Sequence, residues 1–376
     1  MAFTLDYSQS GVSRQELSTL QEKLKNYVEK VLSASKTTSA PESFLRIDLD
    51  DVEKARVVVG EPVEIVVLFG IGGSSLGASA IAQALGLEHK LLVLDTIDSH
   101  RMRAIQDAVE RAYNENISVR FVVVSKSGTT EETLENFNQF REFIVKYDPS
   151  WKQKVIIVTD EGTPLWQTAE EEGFQKVASP QAVPGRFSLF TSVGLVPLVA
   201  LGADVAALCN GALSMAKACL EDGVLEHNPA TWGSAVQFSQ ARLPIHVLFA
   251  TAPEFVLLTH WWRQLIAESL GKQGKGITPL SSDPADVHSM LQLYLDGPRD
   301  KFTLFIDDAG KMGARLVSTY REKKIPYGIL TMETRDAGTL GAVAMLGMIQ
   351  VVLLAYLFEV NPFDQPAVTS YKEKVK

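Results

Sequence analysis

The sequence predicts an α/β protein with two parallel sheets, each covered by helices on both faces. Residues 65–69 and 121–124 are apolar throughout, as in strands that are buried on both faces. Such runs alternate with helical segments, which is typical of parallel strands joined by crossover helices. The alternation occurs in residues 63–172 and again in residues 245–357. The sequence therefore predicts two layered α/β units.

The length of 376 residues allows two domains of ordinary size. We expect a helical N-terminal segment over residues 1–50, a first α/β domain over 51–220, a second over 221–360, and a C-terminal helical tail over 361–376.

The elements follow from local patterns in chain order. Leu17, Leu20, Leu24 and Val28 recur at helical spacing and predict a helix within residues 12–35. Residues 44–59 are interpreted as a short approach to the first sheet. Strands are predicted at 65–69, 90–94, 119–124, 154–159, 245–251, 302–307 and 327–331. Helices are predicted at 76–86, 99–113, 130–146, 163–172, 185–202, 204–220, 253–269, 286–295, 311–323 and 338–357.

Composition narrows the class of protein. The net charge is −9 and no basic block occurs, so no nucleic-acid partner is expected. Cys209 and Cys219 lack the spacing of a metal site and are expected to be reduced thiols. The N-terminus lacks a secretory pattern, and the predicted location is the cytoplasm.

One apolar segment, residues 341–360, is long enough to cross a membrane. Its flanks carry the acidic residues Glu333, Asp336, Glu359 and Asp364, whereas the flanks of a membrane span are usually basic. A helix buried in the core is therefore expected instead of a membrane span.

The first glycine loop follows an apolar strand and precedes an alanine-rich helix. We call residues 70–77 the glycine loop; it reads Gly70-Ile71-Gly72-Gly73-Ser74-Ser75-Leu76-Gly77. Glycines allow close approach of a ligand to the backbone, and free amides at a helix start favour an anion. Asp95 at the end of the next strand also leaves a dinucleotide site open as an alternative, although Ser75 replaces the third glycine of that fingerprint.

A second loop follows the same plan after residues 119–124. We call it the hydroxyl loop; it reads Ser125-Lys126-Ser127-Gly128-Thr129-Thr130. Four hydroxyls, a glycine and a lysine suit a compact phosphate monoester. A capping box between Thr129 and Glu132 is the simpler alternative. Together, the two loops predict a site that holds one phosphate from two sides.

Three further residues are candidates for chemistry. Glu268 lies near the carboxyl end of a predicted helix, where the helix dipole disfavours a negative charge. Arg186 opens a predicted helix and can face charge that develops on a substrate, or can form an ion pair between domains. His288 lies at a helix start and is a candidate acid or base. Lys272 and Lys275 are expected to be solvated.

Six motifs, in the same order along the chain, resemble those of glucose-6-phosphate isomerases of the shorter bacterial type. They are the two loops, Gly185-Arg186-Phe187-Ser188, Ala267-Glu268-Ser269-Leu270-Gly271-Lys272, His288-Ser289-Met290 with Gln292, and Asn361-Pro362-Phe363-Asp364-Gln365. The resemblance extends over residues 60–376. It implies two sugar-isomerase (SIS) domains and interconversion of glucose 6-phosphate and fructose 6-phosphate, a reaction of glycolysis and gluconeogenesis. It also implies a homodimer and no metal or organic cofactor.

The resemblance also implies roles for individual residues. Glu268 would move a proton between C2 and C1, and Arg186 would stabilise the cis-enediol(ate). His288 would reach over from the partner subunit and assist ring opening together with Lys372. The substrate-binding residues would be Gln264 against the sugar and, at the phosphate, Gly73, Ser74, Ser125, Lys126, Ser127, Gly128, Thr129 and Thr130.

The chain departs from the family pattern at Pro184, Leu291 and Ala367, where glycine is common. No departure removes a catalytic side chain. Two other hypotheses stay open from the sequence. One is a nicotinamide-dependent dehydrogenase that uses the glycine loop. The other is a non-catalytic phosphosugar sensor, which the presence of Glu268, His288 and Lys372 disfavours.

Overall fold

The computed structural model describes residues 2–221 and 228–375, except for the side chains of residues 372–375. The strands are β1 (Phe3–Asp6), β2 (Ile65–Phe69), β3 (Leu91–Leu94), β4 (Val119–Val124), β5 (Val155–Thr159), β6 (Gln175–Ala178), β7 (Ile245–Ala250), β8 (Thr278–Ser282), β9 (Lys301–Asp307) and β10 (Tyr327–Met332). The helices are α1 (Arg14–Ser18), α2 (Gln21–Ser35), α3 (Leu49–Val59), α4 (Leu76–Ala84), α5 (Ser99–Asn114), α6 (Glu131–Ile144), α7 (Pro164–Glu172), α8 (Ser192–Ala200), α9 (Val205–Glu221), α10 (Pro229–Ser239), α11 (Val256–Leu270), α12 (Asp286–Ser289), α13 (Leu291–Asp296), α14 (Lys311–Glu322), α15 (Ala337–Leu357) and α16 (Pro366–Val375).

The chain forms two compact α/β units. The first unit is Arg46–Cys209, and the second unit combines Met1–Leu45 with Asn210–Lys376. These limits differ from the predicted domain boundaries at both ends. The N-terminal segment belongs to the second unit because β1 pairs with β10, and the change of unit falls inside α9 rather than after it.

The sheet of the first unit has the order β3-β2-β4-β5-β6, and all its strands are parallel. Its central strands are buried along nearly their whole length, as their apolar sequences predict. Phe69, Phe121, Phe137 and Phe140 pack edge-on or tilted against one another beneath α6. This packing fixes the carboxyl ends of β2 and β4, from which the two predicted loops leave.

The sheet of the second unit has the order β1-β10-β9-β7-β8. Its four other strands are parallel, whereas β1 runs antiparallel to β10 at the edge. Phe249, Phe305, Tyr320 and Tyr327 form a continuous aromatic cluster beneath α14. The predicted fold class, two SIS-type α/β domains, is confirmed. The segment before them, predicted to be helical, also contains a strand.

Helix α15 is the apolar segment that is long enough to cross a membrane. It has 21 residues, and 94% of its most apolar window is buried inside the molecule. It packs against α10, α11 and α2. Gln350 within it is also buried and donates a hydrogen bond to the carbonyl of Pro229 (3.1 Å). The protein itself thus covers the helix, as expected for a core helix.

Several local predictions were wrong. Residues 49–59 form α3, capped by Asp48 and ended by Gly60 at φ +67°, rather than an approach to the sheet. Residues 185–202 are not one helix, because a 3-10 turn at Gly185–Phe187 precedes α8, whose first turn is capped by Thr191. Arg186 therefore lies in this turn and does not open a long helix.

Candidate active site

The two predicted loops leave neighbouring strands at a topological switch point. The chain passes from β2 to β3 on one side of the sheet and then to β4 on the other. In open parallel sheets, such a point leaves a crevice outside the carboxyl ends of the strands, where ligands bind. A Cβ atom placed on Gly70 would lie 3.3 Å from the carbonyl oxygen of Val124, so the loops begin side by side.

The glycine loop makes a close backbone contact with the turn that carries Arg186. A Cβ atom on Gly73 would lie 2.4 Å from the carbonyl carbon of Gly185 and 2.7 Å from the amide nitrogen of Arg186. Gly72 adopts a φ of +58°, which glycine allows without strain. Helix α4 then begins at Ser75 without a side-chain cap. The loop thus leaves backbone amides, rather than side chains, at the start of the helix.

The hydroxyl loop is closed by its own side chains. The Ser125 hydroxyl donates to the Thr130 hydroxyl (3.0 Å), and the Thr129 hydroxyl donates to that of Ser127 (3.0 Å). Thr130 is the N-cap of α6, but no side chain caps the helix. The predicted alternative, a capping box between Thr129 and Glu132, is therefore absent from this helix start. The hydroxyls and the uncapped amides suit an anion.

Lys126 does not point freely from this loop. Its Nζ donates to the carbonyl oxygen of Pro180 (2.5 Å) and lies 3.5 Å from a carboxylate oxygen of Asp160. Burial lowers the pKa of Lys126, and the charge of Asp160 works against this shift. The sequence analysis did not identify Asp160, which has no motif of its own. The predicted contact of Lys126 with phosphate stays a prediction.

Gly128 is held against the start of α7. Its φ is +63°, and a Cβ atom there would lie 2.7 Å from the Cβ of Thr163. Thr163 in turn caps α7 by accepting a hydrogen bond from the amide of Trp166 (3.2 Å). The neighbouring helix thus fixes the shape of the hydroxyl loop. Thr163 was also missed by the sequence analysis.

Arg186 is 1% exposed and is one of the largest buried side chains of the first unit. Its guanidinium lies 5.4 Å from the ring centre of Phe187. A buried cation costs free energy unless partners compensate it. The backbone amide of Arg186 lies beside Gly73, so the turn that carries this cation contacts the glycine loop.

In the second unit, Glu268 lies on the last turn of α11. Gln264, one turn earlier, donates a hydrogen bond from Nε2 to Glu268 Oε1 (2.7 Å). The oxygen of Gln264 is buried and has no hydrogen-bond partner among the described residues. The side chain of Glu268 is half-buried. The structure thus brings together two of the predicted site residues, and the amide orients the carboxylate.

A groove of about 360 Å³ lies beside Glu268 and is bounded by the loop before α16. Lys272 lines it, and its Nζ binds Asp364 (2.7 Å) and the carbonyl oxygen of Asn361. Only 7% of the Lys272 side chain is exposed, so its prediction as a solvated charge was wrong. The ion pair joins the end of α11 to the last of the six motifs. Lys275 is 40% exposed, as expected.

The two remaining predicted catalytic residues lie in α12 and α16. His288 lies in the short helix α12 and its side chain is exposed. Asp286 accepts hydrogen bonds from Ser282 and Ser289 (both 2.7 Å), which hold this helix in place. Lys372 lies in α16, but its side chain is outside the described part of the protein.

The second unit has its own switch point between β7 and β9, but different residues occupy it. Thr251 after β7 donates to the carboxylate of Asp307 at the end of β9 (2.7 Å), and Asp307 is 4% exposed. A buried carboxylate repels an anion. Among the described residues, the two loops that suit a phosphate therefore belong to the first unit alone.

Two other observations bear on the alternatives. Asp95, the acid that a dinucleotide site would use, lies 3.3 Å from Arg101 in an ion pair. Within residues 2–221 and 228–371, no group of three or more His, Cys, Asp or Glu side chains is placed to hold a metal ion. Cys209 and Cys219 are buried, and burial raises the pKa of both thiols to about 12.

Comparison with known proteins agrees with these features. The family model described as phosphoglucose isomerase matches residues 51–283, more than half of the chain. Glucose-6-phosphate isomerase of Methanocaldococcus jannaschii is 33% identical over 82% of this chain and 83% of its own. The enzyme of the same name from Mycoplasmopsis pulmonis is 30% identical over 89% of this chain and 87% of its own.

Solved structures show the same fold. A hypothetical protein from Thermus thermophilus superposes with a TM-score of 0.87 at 27% identity, covering 99% of this chain and 98% of its own. A glucose-6-phosphate isomerase from Chlamydia trachomatis gives a TM-score of 0.83 at 19% identity, covering 100% of this chain and 87% of its own. By its sequence and its fold, the chain belongs to the phosphoglucose isomerase family and is an isomerase.

Proposed function

We propose that this isomerase interconverts glucose 6-phosphate and fructose 6-phosphate by ring opening and proton transfer between C2 and C1. One observation carries the proposal: the glycine loop and the hydroxyl loop lie at one switch point, and each precedes a helix that no side chain caps. Relatives that bear the name glucose-6-phosphate isomerase cover most of the chain, and a phosphosugar is the substrate class that their name implies.

The phosphate is proposed to bind the glycine and hydroxyl loops. The backbone amide of Gly73 and the hydroxyls of Ser74, Ser125, Ser127, Thr129 and Thr130 supply donors, while Gly128 permits the turn. A phosphate far from the reacting carbons orients them and contributes binding energy that the chemical step can use. Lys126 is proposed to act through its positive charge and by positioning the loop.

Proton transfer is assigned to Glu268. Its carboxylate accepts the proton from C2 of the open-chain aldose and returns it to C1, and exchange of a proton between O1 and O2 completes the ketose. Gln264 supports this role because its hydrogen bond to Oε1 fixes the orientation of the carboxylate, and we propose that Gln264 also contacts the sugar.

Charge and ring opening are assigned to the three cationic or titratable residues. Arg186 is proposed to stabilise the negative charge of the cis-enediolate, because a fixed cation is worth more in a site that excludes water. His288 of the partner subunit and Lys372 are proposed to open the sugar ring by moving protons at the ring oxygen and O1. This chemistry needs only protein side chains.

The decisive experiment is a coupled assay in both directions, with glucose 6-phosphate and with fructose 6-phosphate. We expect turnover in both without an added metal or nucleotide. A lack of turnover in either direction would remove the proposed activity. Binding of a nicotinamide nucleotide in a fluorescence titration would instead support the dehydrogenase alternative.

The hydroxyl loop can be tested separately. Ser125→Ala with Thr130→Ala removes the hydrogen bond that closes the loop, and we expect KM for phosphosugar to rise at least about tenfold with a smaller change in kcat. Ser318→Ala with Thr319→Ala is the matched control, because these hydroxyls bond only within α14. An unchanged KM in the loop variant would exclude the loop from phosphate binding.

A further inference from the structure

A second cavity, of about 590 Å³, lies in the second unit at the amino-terminal edge of its parallel strands. Its wall is formed by the segments just before β7, β9 and β10 and by the segment after the antiparallel strand β1. No residue that lines it lines the groove beside Glu268. None of the predicted site residues contributes to it.

The cavity is strongly basic although the protein is acidic overall. Its lining includes six cationic side chains and no carboxylate: Arg242, Arg299, Lys301, Arg321, Lys323 and Lys324. Two of the six have ion-pair partners, Arg242 with Glu16 (3.7 Å) and Lys301 with Asp300. Among the described residues, no carboxylate forms an ion pair with the other four.

The negative ends of nearby helices are too weak to neutralise this positive charge. Helices α10, α13 and α14 end next to the cavity, and a helix end carries the equivalent of about half a negative charge. Three such ends and the two carboxylates together offset fewer than four of the six cations. More than two positive charges are therefore left without compensation.

The backbone conformation of Lys324 is a second observation that supports a role for its charge at the cavity. Lys324 follows the end of α14 with φ +53°, a conformation that favours glycine at this position of a helix end. The amide of Ile325 donates to the carbonyl of Tyr320 (2.9 Å), as the helix-ending motif requires. A lysine here strains the backbone and places a charge at the cavity.

The floor of the cavity offers neutral polar groups. Tyr320 is buried and burial raises its pKa to about 12, so its hydroxyl keeps its proton at neutral pH; it accepts a hydrogen bond from Thr303 (3.3 Å). Gln240 is fully buried, and its Nε2 donates to the carbonyl of Ser10. Its Oε1 has no partner among the described residues. Ser8 and Gln9 also line the cavity and are exposed, so they can form hydrogen bonds with the hydroxyl groups of a ligand.

We propose that this cavity binds a small hydroxylated metabolite carrying two or more phosphate groups, at a site separate from the phosphosugar site. The excess of more than two positive charges offsets most of the charge of two phosphates, which is about −3 to −4 in total, and cationic side chains bind phosphates by charge-assisted hydrogen bonds. The limited volume of the cavity, with an aromatic and hydroxyl floor, fits a compact ligand better than an extended polyanion.

The test is calorimetric titration of the full chain with inorganic pyrophosphate and with ribose 1,5-bisphosphate at low salt. The variant Arg299→Ala/Arg321→Ala/Lys324→Gly removes three cations, and glycine suits the backbone at position 324. Its matched control, Lys25→Ala/Lys311→Ala/Arg315→Ala, removes three exposed cations that do not line the cavity. Both are made in the Ser125→Ala/Thr130→Ala background, so that binding at the hydroxyl loop is weakened throughout.

We expect the cavity variant to bind both probes at least about tenfold more weakly, and the control to change affinity less than about twofold. Equal affinity of the cavity variant and the control would overturn the proposal. So would tighter binding of a 20-nucleotide RNA than of the probes through the same three residues, because the surface would then serve nucleic acid. If the triple variant does not fold, Lys324→Gly alone, with an expected two- to fourfold loss of affinity and an unchanged or higher melting temperature, makes the same distinction.

Discussion

Glu268 occupies a position where its charge is not stabilised by its own helix. It lies at the carboxyl end of α11, where the helix dipole is also negative, and its partner on that helix is the neutral Gln264. We expect Glu268→Gln to retain phosphosugar binding and to lower kcat at least about 100-fold, since a general base contributes about 10²–10⁴-fold. Steady-state kinetics together with calorimetric binding of the substrate would measure both effects.

The chain supplies a matched control for this substitution. Glu135 on α6 accepts the same kind of hydrogen bond from Gln139, one turn away, but it is exposed and outside the site. Glu135→Gln should leave kcat unchanged within about twofold. A kcat for Glu268→Gln that is close to the control would take the base role away from Glu268.

The backbones of Gly73 and Gly185 are in contact, but a Cβ atom added to each residue would point in a different direction. A methyl group at Gly73 would overlap the Gly185 backbone, whereas at Gly185 it would meet only the Cα of Gly73 at 3.9 Å. We expect Gly73→Ala to lower the free energy of unfolding by about 1–3 kcal/mol and to reduce kcat/KM, because the turn that carries Arg186 must move. Gly185→Ala should leave both nearly unchanged. Urea denaturation and kinetics of the two variants test this, and similar losses in both would contradict the close contact.

The sequence predicted which residues form the site better than how each is held. Hydroxyls and glycines after an apolar strand indicate an anion site by local chemistry alone. By contrast, Lys272 is buried by an ion pair with Asp364, about 90 positions away. Lys126 forms an ion pair with Asp160, 34 positions away. Such long-range contacts leave no periodic or local pattern in the sequence.

At the scale of elements, α15 shows how a helix of apolar residues is started and placed. Asp336 caps it, and hydrogen bonds from the Thr334 hydroxyl and from the amide and hydroxyl of Thr339 lower its pKa to about 2. We expect Asp336→Ala to lower the free energy of unfolding by about 1 kcal/mol at pH 7, and Asp336→Asn by less, since it keeps an acceptor. Urea denaturation of the three proteins measures the differences.

The pH dependence of this cap has a definite sign. The pKa of Asp336 is lower in the folded protein than the ordinary value of 3.8, so the charged cap stabilises the protein above about pH 4. That contribution is lost as the pH falls from about 4 towards 2. The difference between the wild-type protein and Asp336→Ala should therefore be smaller at pH 3 than at pH 7. A difference that stays constant would mean that the charge of Asp336 does not contribute.

The strands that the sequence analysis missed are short and lie at sheet edges. It also missed α10, a helix of 11 residues with a buried face. Strand β8 contains Pro279 and three hydroxyl residues, and β6 begins with Gln175 and Lys176, so neither has an apolar run. Both are edge strands, each paired with a single neighbour, where polar residues are tolerated. The central strands were predicted because burial on both faces demands apolar residues throughout. Strand β3 also lies at an edge but was predicted, because its four residues are all apolar. The presence of an apolar run, rather than position in the sheet alone, therefore decided which strands were predicted.

At the scale of the whole molecule, the two units share one architecture but differ in chemistry. Each has a parallel sheet with a switch point, yet the first unit places hydroxyls and glycines there and the second unit places the buried Asp307. The sequence predicted the repetition, since alternating strands and helices recur. It did not predict that the N-terminal residues join the second unit, because the pairing of β1 with β10 spans more than 300 residues.

The proposed homodimer, with His288 acting in the partner's site, predicts complementation between two inactive variants. Mixing His288→Ala and Glu268→Gln chains after unfolding and refolding forms mixed dimers, in which one site has both defects and the other has neither. Since half of the dimers are mixed and each has one intact site, about a quarter of the wild-type activity should return. Size-exclusion chromatography first establishes the dimer. As a control, Glu135→Gln chains are mixed with Glu268→Gln chains, which shows the activity of a mixture in which only one of the two substitutions affects the site. If His288 serves its own subunit, every mixed dimer keeps one defect in each site, and activity stays at the level of the separate variants.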